Sequence, residues 1–218
     1  MISIILCTYN DAEFLTTAIP SCVNQDIEKE IILVDDCSSK PIPDTVVSMV
    51  RDFGVKYMRN PQNMGLSASR NNGIAAAKYD LVIPLDADDW FYPNALPKLA
   101  AEITDADVCY GKITDSGNVC YPVREAFTKE IFIRDNPLFC SSLFRKKMWE
   151  KVSGYMVRKG AHYEDWNFWA RAWAAGHKFK YVDVLVYNHT SRPDSMLRTL
   201  HHNRDFYRKL ATEGVFDR

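Results

Sequence analysis

No apolar run in this sequence reaches the roughly 18 residues needed to span a bilayer. The N-terminus, Met-Ile-Ser-Ile-Ile-Leu, lacks a basic leader and a signal-type core and already reads as strand. Both features lead to the expectation of a soluble, cytoplasmic protein without a transmembrane segment. Charge of either sign is not in excess: 27 Lys and Arg oppose 28 Asp and Glu, a net of −1 over 218 residues. A nucleic-acid-binding chain normally shows a basic surplus, so no nucleic-acid partner is expected. Six cysteines, Cys7, Cys22, Cys37, Cys109, Cys120 and Cys140, form no CxxC pair. No histidine lies at zinc-finger spacing from them, so they read as reduced thiols, several inside apolar runs. The glycine-based phosphate cradles GxGxxG and GxxxxGK[ST] are absent, as is HExxH. No Ser-His-Asp grouping can be placed.

What is present centres on Leu81 to Tyr92, LVIPLDADDWFY. Five mostly apolar residues, a pattern suited to a strand buried on both faces, run into Asp86, Asp88 and Asp89. In open α/β sheets, ligands bind beyond the carboxyl ends of strands. Such a trio is either left in water or met by a divalent cation with oxygen ligands. An EF-hand loop also begins D-x-D, but its glycine would fall at Phe91 and its closing Glu at Pro97. That reading fails.

The surrounding chain repeats the theme. Ile2 to Cys7 and Glu30 to Val34 read as strands, the second ending in Asp35-Asp36. Asn10 or Asp11 can cap a helix carrying the rows Phe14, Ala18, Cys22 and Leu15, Ile19, Val23, with Pro20 expected to kink or divide it. A helix over 44–52, a strand over 55–59, a helix over 66–77 weakened at Gly73, and a helix from Pro93 to about Ile103 follow. Strand-helix alternation up to there indicates a mostly parallel sheet with crossover helices. Beyond it come a hairpin around Asp115-Ser116-Gly117, an ambiguous stretch over 124–144, and a short helix over 145–152. Arg145, Lys146 and Lys147 read as a solvated helix face near a C-terminus. A helix over 164–175, strands over 178–182 and 184–189, and a helix from about Leu197 to Ala211 complete the chain. Trp166, Trp169 and Trp173 read as packing residues of the 164–175 helix, and His162 and His177 as ordinary histidines.

Six stretches in order, ISIILCTYN, IILVDDCSS, NMGLSASRNNGI, PLDADDWFYP, YEDWNFWARAWAAG and VYNHTSRPDSM, resemble family 2 glycosyltransferases of the GT-A fold. They span nearly the whole chain. The resemblance implies an α/β fold: a Rossmann-like, mostly parallel central sheet flanked by helices, with a smaller mixed or antiparallel acceptor-side part. A single domain over 1–218 is implied, with nucleotide-sugar binding in 1–105 and acceptor binding and the catalytic base in 106–218. The expected activity is inverting transfer from a nucleotide-sugar, a UDP-sugar first, to an acceptor hydroxyl. Thr8, Tyr9 and Asp36 would hold the base, Arg70 and Asp86 would lie at the donor, and Arg192 at the diphosphate. Asp88 and His189 would hold Mn²⁺ or Mg²⁺, and Asp165 would be the general base. The acceptor, whether glycan, lipid-linked molecule or protein, is not legible. Its pocket is expected within 124–163. A non-catalytic nucleotide-sugar or glycan-binding module on the same scaffold is a rival reading, which the intact Glu164-Asp165 pair disfavours. A sugar-nucleotide nucleotidyltransferase is another, and the lack of Gly and Lys in TYNDAEF disfavours that.

Overall fold

The protein's structure is a computed structural model that describes residues 1–124, 126–158, 163–191 and 204–216. Its frame is a nine-stranded sheet. Four strands, β1 (Ile2–Thr8), β2 (Lys29–Asp35), β3 (Lys56–Arg59) and β4 (Leu81–Asp86), run parallel in the order β3-β2-β1-β4. All seven residues of β1 are buried, as expected of a strand covered on both faces. The register sets Thr8 beside Asp35 and Cys7 beside Asp86, so the acids that end β2 and β4 reach one rim together.

Side-chain alternation divides the core into two layers. Ile2, Ile4 and Leu6 face α1 (Leu15–Val23), α2 (Asp44–Asp52) and α4 (Ala95–Glu102). Ile5 and Cys7 face the opposite layer, built on α3 (Leu66–Ala75), α6 (Lys146–Lys151) and α7 (Glu164–Ala174). Trp166 and Trp169 lie in that layer, 1% and 0% exposed, as packing residues. Gly73 on α3 has a packing purpose. A Cβ there would meet Ile5 Cγ2 at 2.5 Å, so the missing side chain lets the helix lie against β1. All six cysteines are free thiols.

The second half extends the sheet with mixed directions. The two-residue β5 (Trp90–Phe91), β6 (Val108–Asp115), β7 (Asn118–Cys120), β8 (Leu143–Arg145) and β9 (Phe179–His189) continue the order β4-β8-β6-β9-β5, with β7 beside β6. Only the β6–β9 pair among these is parallel. Two short helices, α5 (Lys129–Arg134) and α8 (Arg204–Thr212), complete the described residues.

Several sequence expectations are corrected. Pro20 does not divide α1; the helix passes through it, preceded by a separate 3-10 turn, Ala12–Phe14. The two strands expected over 178–189 are one, because Gly111 opposite Val182 and Val184 allows a bulged register to continue. The α4 helix starts after Pro93, since Trp90 and Phe91 pair with β9 and Asn94 takes a left-handed conformation. Arg145 and Lys146 are not a solvated face near a helix C-terminus, although Lys147 is exposed: Arg145 precedes α6 and the lysines begin it. Arg145 Nη2 donates to Ile103 O just past α4, and Lys146 Nζ to Ala75 O and Ala77 O at the end of α3. Both cations therefore meet the orphan carbonyls of helix C-termini.

Candidate active site

Beyond the carboxyl ends of β1 and β4 opens a cleft of about 770 Å³. Its walls bring together residues far apart in the chain: Thr8, Tyr9, Asp36, Arg70, Asp86, Asp88, Asp165 and His189. Arg192 lies outside the described residues.

At the β1 end of the cleft, Thr8 is buried, and its hydroxyl donates to Asp11 Oδ1 (2.6 Å), which also accepts the Tyr9 N–H (3.0 Å). This turn holds Tyr9 outward, 46% exposed at the cleft. Asp35 does not line the cleft. Burial raises its pKa, but Ser38, Tyr57 and Arg59 bond it and bring the carboxyl below its ordinary range. Asp36 accepts from Asn60 Nδ2 (2.8 Å) and from the backbone N–H groups of Met64 (2.8 Å) and Gly65 (2.7 Å). The Asn63-Met64-Gly65 turn before α3 is thereby tied to β2. A carboxylate offers about four acceptor positions, so Asp36 keeps capacity for one further donor.

Arg70 is the hub. It is 1% exposed, projecting from α3 beneath the cleft. Its Nη2 donates to Asp86 Oδ1 (2.7 Å) and its Nη1 to Glu164 Oε1 (2.5 Å), and the guanidinium lies 5.5 Å from the Tyr155 ring centre. A buried cation between two carboxylates links the acidic turn after β4 to the start of α7. Both Nη groups are engaged by protein groups, which makes Arg70 an organiser of the cleft. Such charge-assisted pairs are the strong class of hydrogen bond.

The acidic turn is also pinned at its far end. Asp89 is buried, and its Oδ1 accepts the Thr190 N–H (2.8 Å), fastening the turn to the exit of β9. Burial, with Asp86 and Asp88 adding like charge, pushes the Asp89 carboxyl well above its usual range. Asp88, half-buried, lies between these two anchors at the cleft wall. Across from it His189 ends β9, with Nδ1 3.5 Å from Asp115 Oδ1.

Asp165 lies in the first turn of α7 and is half-buried. Its Oδ1 accepts its neighbour's N–H at Trp166 (2.8 Å) and its Oδ2 accepts from Asn136 Nδ2 (2.9 Å). Burial, then the like charge of Glu164, pushes the carboxyl up to about 7, against the opposing pull of Arg70 and of the two hydrogen bonds. A carboxyl held in this range can carry or release a proton near neutral pH.

Asn136 and Cys140 are site residues that the sequence did not disclose. Both line the cleft from the stretch read as ambiguous. Cys140 Sγ lies 3.3 Å from Arg70 Nη2. Asp135-Asn136-Pro137 has the residues of a turn, but nothing in the sequence pairs Asn136 with Asp165, 29 positions away.

Among the described residues, no group of three or more His, Cys, Asp or Glu side chains could hold a metal ion. The cleft's oxygen-rich wall, Asp86 and Asp88 with His189, fits instead a cation shared with phosphate oxygens, the arrangement that needs only one or two protein carboxylates.

Comparison with known proteins agrees with this architecture. The model of Glycosyl transferase family 2 matches residues 3–150. The chain is 27% identical over 226 residues to the uncharacterized glycosyltransferase YwdF of Bacillus subtilis, covering 97% of this chain and 83% of that protein. In fold it is similar to S. aureus TarS 1-349 in complex with UDP-GlcNAc: TM-score 0.76, 22% identity, 91% of this chain and 60% of the other. It is also similar to the mannosyltransferase PcManGT from Pyrobaculum calidifontis in complex with GDP-Man and Mn²⁺: TM-score 0.71, 16% identity, 98% of this chain and 64% of the other. The chain thus spans less than two thirds of the length of these solved structures. The fold is GT-A, as the sequence resemblance implied. No helix among the described residues is long and apolar enough to cross a membrane.

Proposed function

The chain belongs to glycosyl transferase family 2, and on that premise we propose that it transfers a sugar, with inversion, from a nucleoside-diphosphate donor to an acceptor hydroxyl. The observation that carries this reading is a single cleft lined by both the acidic turn after β4 and Asp165, with Arg70 bonding Asp86 on one side and Glu164 on the other. The expected donor is a UDP-sugar, since one similar fold was solved with UDP-GlcNAc; another was solved with GDP-Man.

The residues divide the work by position. Tyr9 offers an exposed ring for the base to stack on, and Asp36 offers its remaining acceptor position to a base N–H. Asp86 lies at the ribose and diphosphate. Asp88 and His189 would hold Mn²⁺ or Mg²⁺, which when bound supplies positive charge opposite the leaving diphosphate. Asp165 accepts the proton of the acceptor hydroxyl as its oxygen bonds to the anomeric carbon. In the same step the carbon–oxygen bond to the diphosphate breaks, and its electron pair leaves with the nucleotide. Inversion requires this base on the sugar face opposite the leaving group. A carboxyl titrating near 7 suits that task at neutral pH.

Asp88→Asn should abolish transfer and leave the melting transition within about 0.5 kcal/mol of wild type, because a half-buried polar change at a cleft wall disturbs little packing. Calorimetry should show donor binding weakened by EDTA and restored by Mn²⁺. Full turnover by Asp88→Asn, across UDP- and GDP-sugars with Mn²⁺, would overturn the reading.

A further inference from the structure

A second cavity, of about 290 Å³, lies between the end of α7 and the strands β6 and β9. It shares no lining residue with the cleft. Tyr110, Phe127, Trp173, Phe179 and Tyr181 wall it. At the same cavity sits His177, whose side chain is 10% exposed and whose Nδ1 is 3.1 Å from Asp107 Oδ2. With Asp107 ionised, that contact places a proton on Nδ1 and leaves Nε2 as an acceptor in the neutral ring. Nε2 is buried and has no hydrogen-bond partner among the described residues. Leaving such an atom unsatisfied is unfavourable, and a ligand donor would satisfy it. On the rim the exposed Arg124 lies over the Tyr121 ring, 4.9 Å from its centre, and over Tyr181 at 5.9 Å.

We propose that this cavity is a carbohydrate subsite, separate from the reacting centre, that holds one pyranose unit of an oligosaccharide. Its ring faces rest against the aromatic walls, one hydroxyl donates to His177 Nε2, and a second oxygen accepts from Arg124. Arg124 argues against a cationic ligand. The walls offer no slot for a flat nucleobase: Tyr110 and Phe127 are near parallel at 28°, but their centres are 5.5 Å apart, too close to admit a base between them, while Tyr110 and Tyr181 stand at 61° and Phe127 and Phe179 at 67°. Among hydroxylated rings, the choice of a sugar rests on membership of a glycosyltransferase family. It does not depend on the roles given to Asp88 or Asp165.

Saturation-transfer NMR on the whole chain tests this. The probes are the methyl glycosides of glucose, galactose, mannose and N-acetylglucosamine, with uridine as comparison, each at about 10 mM to detect millimolar affinity. At least one glycoside should receive saturation that excess UDP does not displace. His177→Ala and Arg124→Ala should each reduce it by about fivefold, the loss of one hydrogen bond. Arg124 is exposed, so its variant tests the site without burdening the fold. Silence from all four glycosides, displacement by UDP, indifference to both substitutions, or UDP-resistant binding of uridine in their place would each overturn the proposal. Transfer assays on the Asp88 and Asp165 variants report on the cleft alone, so either reading can fail without the other.

Discussion

Replacing Asp165 by Asn should make the protein more stable at alkaline pH while removing its activity. In the unfolded chain this carboxyl titrates near its ordinary 3.8; in the folded chain burial and Glu164 push it up to about 7. Between those values the fold keeps a proton that the unfolded chain has lost, so stability falls as pH rises. The contribution is complete below about 3.8 and gone above about 7. The interval corresponds to an upper bound of about 4 kcal/mol. An amide at this position carries no charge and escapes that loss. Its oxygen can still accept the Trp166 N–H, and Asn136 can turn so that its Oδ1, buried without a partner among the described residues, accepts from the new NH₂. Refitting the amide and Asn136 into these two bonds costs about 1–2 kcal/mol in all. A net gain of about 2 kcal/mol remains above pH 7, or roughly 4–8 °C for a chain of this size. Urea or thermal unfolding of both proteins from about pH 5 to about pH 8.5 reads it. The gap should open with rising pH and level off above about 7. Parallel curves, or a variant less stable at the alkaline end, would refute the electrostatic account of this site.

Other expectations follow from the same packing. Arg70→Met should destabilise by about 3–5 kcal/mol, because it strands Asp86 and Glu164 without their buried cation. Adding Asp86→Asn and Glu164→Gln should recover much of that loss in unfolding experiments. Gly73→Ala should cost about 1–3 kcal/mol by overpacking, although alanine favours helices, since its Cβ would lie 2.5 Å from Ile5 Cγ2 and 3.1 Å from Val34 Cγ2. A thermal melt showing Gly73→Ala as stable as wild type would contradict the close helix–sheet approach.

The parallel half of the fold was legible because its signals are local. Apolar strands, turn residues and acids directly after Val34 and Leu85 lie within a few positions of each other. The strands over 2–8, 29–35 and 81–86 and the helix over 44–52 therefore stand close to where the pattern placed them. The second half resisted because its elements are short and held by distant partners. β5 is two residues long and exists only through its pairing with β9, and β8 is three residues inserted between β4 and β6. Arg145 and Lys146 read as a solvated face because the carbonyls they meet lie 42 to 71 positions away.

Residue order alone thus established the family, the GT-A scaffold and the identity of the acidic clusters, since each depends on short patterns kept in sequence. Only three-dimensional packing decided what those acids do to one another. Asp35 turned away into a network with Tyr57 and Arg59, while Asp36 took up the turn before α3. Arg70 became a buried counter-ion, and Asp165 gained its raised proton affinity from burial and from Glu164. The physical reason is the reach of electrostatics. The charge state of a carboxyl depends on the water removed from it and on charges within a few ångströms, and neither is encoded in the neighbouring letters.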